Sequence, residues 1–178
     1  MEHELIQLLP EFQQIQDDSL RNKSLACWID AMRQGHWQVT DLHEIPFTLL
    51  IPDCPVDFIT HVRAVTQTAI VAAKVLSEFY QANYKINMDF IIAGGLLHDV
   101  GKLLEYKKEN SKFVKSASGM LLRHPFSGAA LAGKHQLPDE IVHIIATHAK
   151  EGDFGYRSPE SIIIHHADFM NFEPLKSV

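Results

Sequence analysis

Apolar residues recur at three- and four-residue spacing along most of the chain, a period that predicts helices rather than strands. The clearest case runs over residues 56–82, where Phe58, Val62, Val65, Ala69, Ala72, Val75, Leu76 and Phe79 keep one phase and Asp53 or Asp57 can serve as the N-cap. Residues 1–38 predict two short amphipathic helices, the second carrying Leu20, Leu25, Trp28, Ile29 and Met32. Pro46, Pro52 and Pro55 make the following stretch an extended or irregular connection, since each proline biases its predecessor away from helix. Asn87 caps a shorter helix over residues 88–99, and Gly101 falls where a helix end wants a left-handed residue, so His98 and Asp99 close a helix. The polar, Lys- and Ser-rich stretch 105–119 has no clear period and reads as a loop or weak hairpin. Helices resume over 125–135 with Pro125 in the first turn, over 138–149, and over 159–172 with Ser158 as cap. Short connections and no convincing alternating strands predict an all-α helical bundle. Residues 1–45 are expected to form a helical extension packed on the core that residues 46–178 build.

The composition fits one folded domain: 178 residues, 46% hydrophobic and 21% charged. A chain of this size buries enough surface to fold without disulfides or metal, so a metal site would serve function first. A formal charge of −6 argues against unspecific gripping of a nucleic-acid backbone, although a local basic patch is allowed. Cys27 and Cys54 form no CxxC pair and read as free thiols in a reducing compartment. The polar, acidic start lacks the layout of a secretory signal. The longest apolar run, Phe90 to Leu97, falls far short of the roughly 20 residues of a membrane span. A soluble, cytoplasmic protein is expected.

Eleven histidines are the one oddity. A metal ligand must point into the bundle, so helical phase is the first test. His61 shares the stripe of Phe58 and Val65; His98 follows Ile91 by seven residues and Gly94 and Gly95 by four and three; His148 follows Ile141, Ile144 and Ile145 by seven, four and three. His143 lies about 140° away from His148 around the helix and is left outside the site. Asp168 lies in the apolar stretch SIIIHHADFMNF, where a buried carboxylate needs a cation or donors. His98 and Asp99 diverge by about 100°, so together they can straddle one ion or touch two. Imidazole and carboxylate without thiolate suit zinc, iron, manganese, cobalt or nickel.

These residues resemble the H…HD…D pattern of the HD-domain superfamily of metal-dependent phosphohydrolases: His61 in HVRAVTQTA, His98 and Asp99 in AGGLLHDVGKL, and Asp168 in HHADF. Two-metal subfamilies add two histidines, for which LLRHPFSGA and IIATHAKEG offer His124 and His148. The cadence of LLRHP, THAKEG and HHADF is closest to the HD region of 3′-5′ exoribonucleases, while the first 45 residues do not look like a nucleic-acid-binding barrel. The resemblance spans about residues 56–172 and implies an HD-domain helical bundle. It further implies that His61, His98, Asp99 and Asp168 hold one divalent metal and that Asp99, His124 and His148 hold a second. The implied activity is hydrolysis of a small phosphorylated substrate or nucleotide by a metal-activated water, with Asp99 and Lys102 as catalytic groups. Two cations would lower the pKa of a bridging water and neutralise phosphate oxygens.

Lys102 is expected just past a helix end, facing a phosphate or else serving as a solvated terminal charge. The span Lys102–Arg123 holds six basic and two acidic residues, leaving ten basic and twenty acidic for the remainder, an asymmetry suited to attracting an anion. His165 is expected to orient Asp168 or line the pocket; His3, His36, His43 and His135 read as surface or loop residues. Trp28, Trp37 and the phenylalanines read as core rather than as stacking platforms. The same resemblance extends to di-iron oxygenases, whose HD segment also has the form HDxGK, and a non-catalytic nucleotide-sensing module or a homodimer is also compatible with it.

Overall fold

The structure is a computed structural model that describes residues 1–177, so Val178, the last residue of the expected core unit, lies outside the described residues. Its helices are α1 (Glu2–Leu8), α2 (Asp18–Gln34), α3 (Phe58–Tyr80), α4 (Met88–Leu97), α5 (Lys102–Glu105), α6 (Ala117–Leu121), α7 (His124–Lys134), α8 (Asp139–Thr147) and α9 (Pro159–Phe172). Short 3₁₀ turns lie at Pro10–Gln14, Val39–His43, Lys150–Gly152 and Glu173–Lys176. The one sheet among the described residues is an antiparallel hairpin of β1 (Tyr106–Glu109) and β2 (Lys112–Lys115). Asn110 and Ser111 turn it with positive φ at both central positions, as a tight hairpin loop requires. The bundle expected from the sequence is thus observed, and the stretch after Glu105 resolves as a hairpin.

Caps set the helix starts. Asp57, rather than Asp53, accepts from the Thr60 N–H at 2.8 Å; Asn87 accepts from Asp89 N–H at 3.0 Å, and Ser158 from Ser161 N–H at 3.2 Å. Helix α4 is the central element: every residue from Ile91 to Leu97 is buried, and α2, α3, α8 and α9 pack around it. Gly94 and Gly95 permit that packing, since a Cβ on Gly95 would stand 2.9 Å from Thr66 Cα and one on Gly94 3.0 Å from the Ile144 side chain. Leu5, Phe12, Trp28 and Met32 from the first 45 residues join the same buried cluster as the side chains of α3, α4, α8 and α9. The connection after residue 45 is irregular, but its ends are pinned: Phe47 N–H donates to Val56 O and Phe58 N–H to Ile45 O.

Two expectations change. Val75 and Phe79 share the core phase of α3 yet are 50% and 71% exposed, because no residue of α3 beyond Ala73 is buried. Gly101 is right-handed, with φ −64°, so it is not a left-handed cap. It is glycine because a Cβ there would stand 2.1 Å from His124 O and 2.7 Å from Gly128 N, where α7 crosses the turn after α4. Gly101→Ala is therefore expected to push α7 away at a cost of about 1–3 kcal/mol, measured as a lower urea midpoint. An unchanged midpoint would mean that the crossing relaxes freely.

His135, expected at the surface or in a loop, lies in the turn after α7, where it is half-buried and meets Asp30 Oδ2 at 2.9 Å beside Lys134 at 2.8 Å, tying α2 to the end of α7. Lys134 first and His135 second hold the Asp30 carboxyl well below the usual range. A carboxylate depressed in the folded state stabilises above its unfolded pKa of about 4, and that contribution is lost as pH falls through the folded value. Asp30→Asn is expected to lower the denaturation midpoint at pH 6 and to converge with the parent in strong acid. A gap that stays constant down to pH 2 would contradict the linkage.

Candidate metal centre

Side chains from five helices and one turn meet around a single carboxylate. His61 enters from the first turn of α3, which Asp57 caps; His98 ends α4, and Asp99 follows in the turn to α5. His124 opens α7, His148 ends α8, and Asp168 lies in α9. His61, His98, Asp99 and His148 are at most 1% exposed, and His124 is 6%. Asp99 divides its two oxygens between two groups. Oδ2 faces His61 Nε2 at 3.4 Å and His98 Nε2 at 3.3 Å; Oδ1 faces His124 Nε2 at 3.2 Å and His148 Nε2 at 3.6 Å. Asp168 reaches the first group through His61, with Oδ1 3.1 Å from Nε2. His61, His98 and Asp99 form one trio of mutually close donor atoms, and Asp99, His124 and His148 another.

The hydrogen bonds on the far side of the rings decide what these atoms can be. His98 Nδ1 lies 2.7 Å from Gly95 O, His148 Nδ1 2.7 Å from Ile145 O, and His124 Nδ1 2.8 Å from Glu105 Oε2. Carbonyl and carboxylate oxygens only accept, so each Nδ1 is assigned the proton and each neutral ring turns a bare Nε2 lone pair inward. Those lone pairs face the Asp99 oxygens, and His124 and His148 Nε2 also face each other at 3.3 Å. Acceptor opposed to acceptor in a buried place is unfavourable without positive charge between them. Consistently, His61 Nε2 and His98 Nε2 are among the buried polar atoms without a hydrogen-bond partner in the described residues. A nitrogen- and oxygen-ligated divalent cation fits such donors.

The charges agree. Burial disfavours the Asp99 carboxylate, yet neighbouring positive charge, that of Lys102 foremost, outweighs it and holds its pKa well below the ordinary value. Burial, which outweighs the pull of Asp99 and Glu105, lowers the His124 imidazole to about 4, keeping it neutral as a ligand must be. Burial also opposes charge on His61, but Asp168 and Asp99 prevail and raise its pKa.

Lys102 is not a solvated charge. It is 7% exposed, and its ammonium donates to Asp99 Oδ2 at 2.5 Å and to Phe47 O at 2.6 Å, while still lining the cavity. His165 does not orient Asp168; its Nδ1 meets His148 O at 2.6 Å. Arg157 donates to the carbonyls on either side, Thr147 O at 2.7 Å and Ala149 O at 3.0 Å, so α9 and the segment before it fix the posture of His148. His143 stays outside, accepting from Ser158 N–H at 3.1 Å.

Glu105 is the residue that sequence reasoning missed. It is 2% exposed, accepts from both the ring and the main-chain N–H of His124 (2.8 and 2.7 Å), and meets Lys115 Nζ at 3.3 Å. Burial would raise its pKa, but His124 brings it down to about 2. Its only signal in the sequence is an acidic residue within a basic span.

The site opens into a cavity of about 430 Å³. Lys115, Arg123 and Lys150 supply its basic portion, although Arg123 is paired with Glu151 at 3.2 Å and Lys115 with Glu105. Trp28 and Trp37 are core, as expected, with indole N–H groups bonded to Leu96 O and Leu103 O. Phe169 and Phe172 depart from that expectation: both are half-buried and line the cavity. No described helix is long and apolar enough to cross a membrane.

The family described as the HD domain matches residues 58–170, more than half of the chain. Dihydroneopterin 2′,3′-cyclic phosphate phosphodiesterase from Methanocaldococcus jannaschii is 35% identical over 113 residues, which cover 62% of this chain and 44% of that protein. The chain thus spans less than half the length of this curated relative. No solved structure gives a significant match.

Removing the carboxylate that holds the His124 ring is expected to weaken divalent-cation binding by about 10- to 100-fold. Glu105→Gln tests this by titration of metal into chelator-treated protein; unchanged affinity would show that the ring is oriented without Glu105.

Proposed function

We propose that this chain, which belongs to the HD-domain family, is a metal-dependent phosphodiesterase that hydrolyses a small phosphate ester, with a cyclic phosphodiester of the kind named for its archaeal relative as the leading candidate. The observation that carries the reading is the opposition of buried imidazole and carboxylate lone pairs on both sides of Asp99. His61, His98, Asp99 and Asp168 would hold one cation, and Asp99, His124 and His148 a second. When bound, divalent cations supply Lewis acidity, lowering the pKa of water and taking up charge on the phosphoryl oxygens.

The protein's own residues do the rest. Asp99 offers one oxygen to each group and thereby fixes their separation. Glu105, Gly95 O and Ile145 O hold the protons on the outer ring nitrogens, so His124, His98 and His148 keep their inner nitrogens free. Burial excludes bulk water, which strengthens every charge interaction in the site. Lys102 keeps its proton: burial lowers its pKa, but Asp99 and further Coulombic contacts raise it above the ordinary value. Its ammonium stands at the cavity edge of Asp99, placed to meet a phosphate oxygen and to balance the carboxylate.

Elemental analysis of protein purified without added metal, followed by phosphoester turnover with that metal restored, tests the reading. His98→Ala and Asp99→Ala are each expected to abolish metal content and turnover together. A variant that stays active after its metal is stripped would overturn the assignment, as would oxygen consumption by iron-loaded protein that cleaves no phosphoester.

A further inference from the structure

Beyond Ala73 helix α3 buries no residue, yet its last turns stay largely apolar. Val71, Val75 and Phe79 recur every four residues along it, and Ile162 and Met170 stand eight apart on α9 with His166 between them. With Tyr80, these apolar side chains are 45–71% exposed. The two helices pack in opposite directions. Asn171 Nδ2 donates to Thr68 Oγ1 at 3.2 Å near one end, and Leu76 shares a groove with Ile162 and Ile163 near the other. On each helix the exposed residues lie about 60–100° back around the axis from those that meet the neighbour: Val71 from Thr68, Val75 and Phe79 from Leu76, and Ile162 and Met170 from Ile163 and Asn171. Because the helices run oppositely, these turns bring both stripes to the same side of the pair, as one apolar face. None of its residues lines the cavity.

Six side chains so exposed leave open on the order of 600 Å² of one face, the upper range for the largest apolar patch of a monomer. A stable interface takes about 800 Å² from each partner, and the flanking Lys74, Leu76, Glu78 and Tyr84 extend the patch toward that size. The charges select the occupant. Lys74 and Glu78 are the only charged residues of α3 after Arg63. Both are exposed, and neither is in an ion pair among the described residues. Val71 and Phe79 are equidistant in sequence from Val75, and Lys74 and Glu78 from Leu76, the next residue. One two-fold axis crossing α3 at that level therefore serves both pairs. It sets α3 antiparallel to its copy, with Val75 against the partner's Val75, Val71 against the partner's Phe79 and Lys74 against the partner's Glu78. A partner of one charge sign would attract one of the two charged residues and repel the other. We infer that this face receives a second copy of the chain, in a symmetric dimer whose interface is a four-helix layer of α3, α9 and their counterparts. The inference draws nothing from the phosphodiesterase reading and holds whatever the site hydrolyses.

Analytical ultracentrifugation of the full chain, carrying the metal with which it purifies, is expected to give a species of twice the 20.2 kDa chain mass at micromolar concentration. Val75→Glu sets two carboxylates face to face on the axis and is expected to weaken association by about tenfold or more. Its circular dichroism and metal content are expected to match the parent, because Val75 is half-exposed in the single chain. Lys74→Glu and Glu78→Lys are each expected to weaken association several-fold. An equimolar mixture of these two variants is expected to restore it, since each then faces opposite charge on the other. A parent that stays monomeric throughout the micromolar range would overturn the inference and leave the face to a different partner. A dimer untouched by Val75→Glu would overturn it by placing the interface elsewhere. Charge variants that associate no better mixed than alone would overturn the antiparallel pairing.

Discussion

The structure depends on the burial of one carboxylate. Placing Asp99 at 1% exposure costs several kcal/mol unless compensating charge and donors surround it, and the fold is arranged to bring them. Helix α4 stops at His98, so the next residue turns its side chain sideways and exposes two oxygens to two neighbourhoods. Gly95 lets α3 close from one side, and Gly101 lets α7 close from the other. Lys102, one turn on, provides the nearest positive charge. Losing any of these close approaches would leave the carboxylate either wet or unbalanced.

Much of this was legible in the sequence, and the reason is phase. His61 and His148 lie on stripes of Ile, Val and Phe, and a stripe of apolar residues has only one place to go in a bundle. The break at His98–Asp99 was legible because Asn87 and Gly101 bracket a short apolar helix, even though Gly101 proved to serve a close approach rather than a left-handed cap. Phase says which face a residue occupies but not how far along the helix that face is covered. Val75 and Phe79 show the difference, for they keep the core phase beyond the point where α3 leaves the bundle. Residues that act through a distant partner were not legible at all. Glu105 meets His124 nineteen positions on, and His165 reaches the His148 carbonyl rather than the aspartate one turn after it.

Charge was the least transferable reading. The excess of Lys and Arg between residues 102 and 123 suggested an open cationic approach, but Lys102, Lys108, Lys115 and Arg123 all have carboxylate partners, on Asp99, Glu44, Glu105 and Glu151. The attraction for an anion therefore comes less from bare surface charge than from what the buried donors collect. The pairs at the cavity, Lys115–Glu105 and Arg123–Glu151, hold the hairpin and the start of α7 in place around it.

The two tryptophans give the protein a built-in optical probe. Trp28 bonds the carbonyl of Leu96 and Trp37 that of Leu103, so the only indoles in the chain bracket the turn that carries His98, Asp99 and Lys102. Any rearrangement of that turn alters the polarity around a fluorophore, and emission spectra report on the heart of the molecule with no label attached.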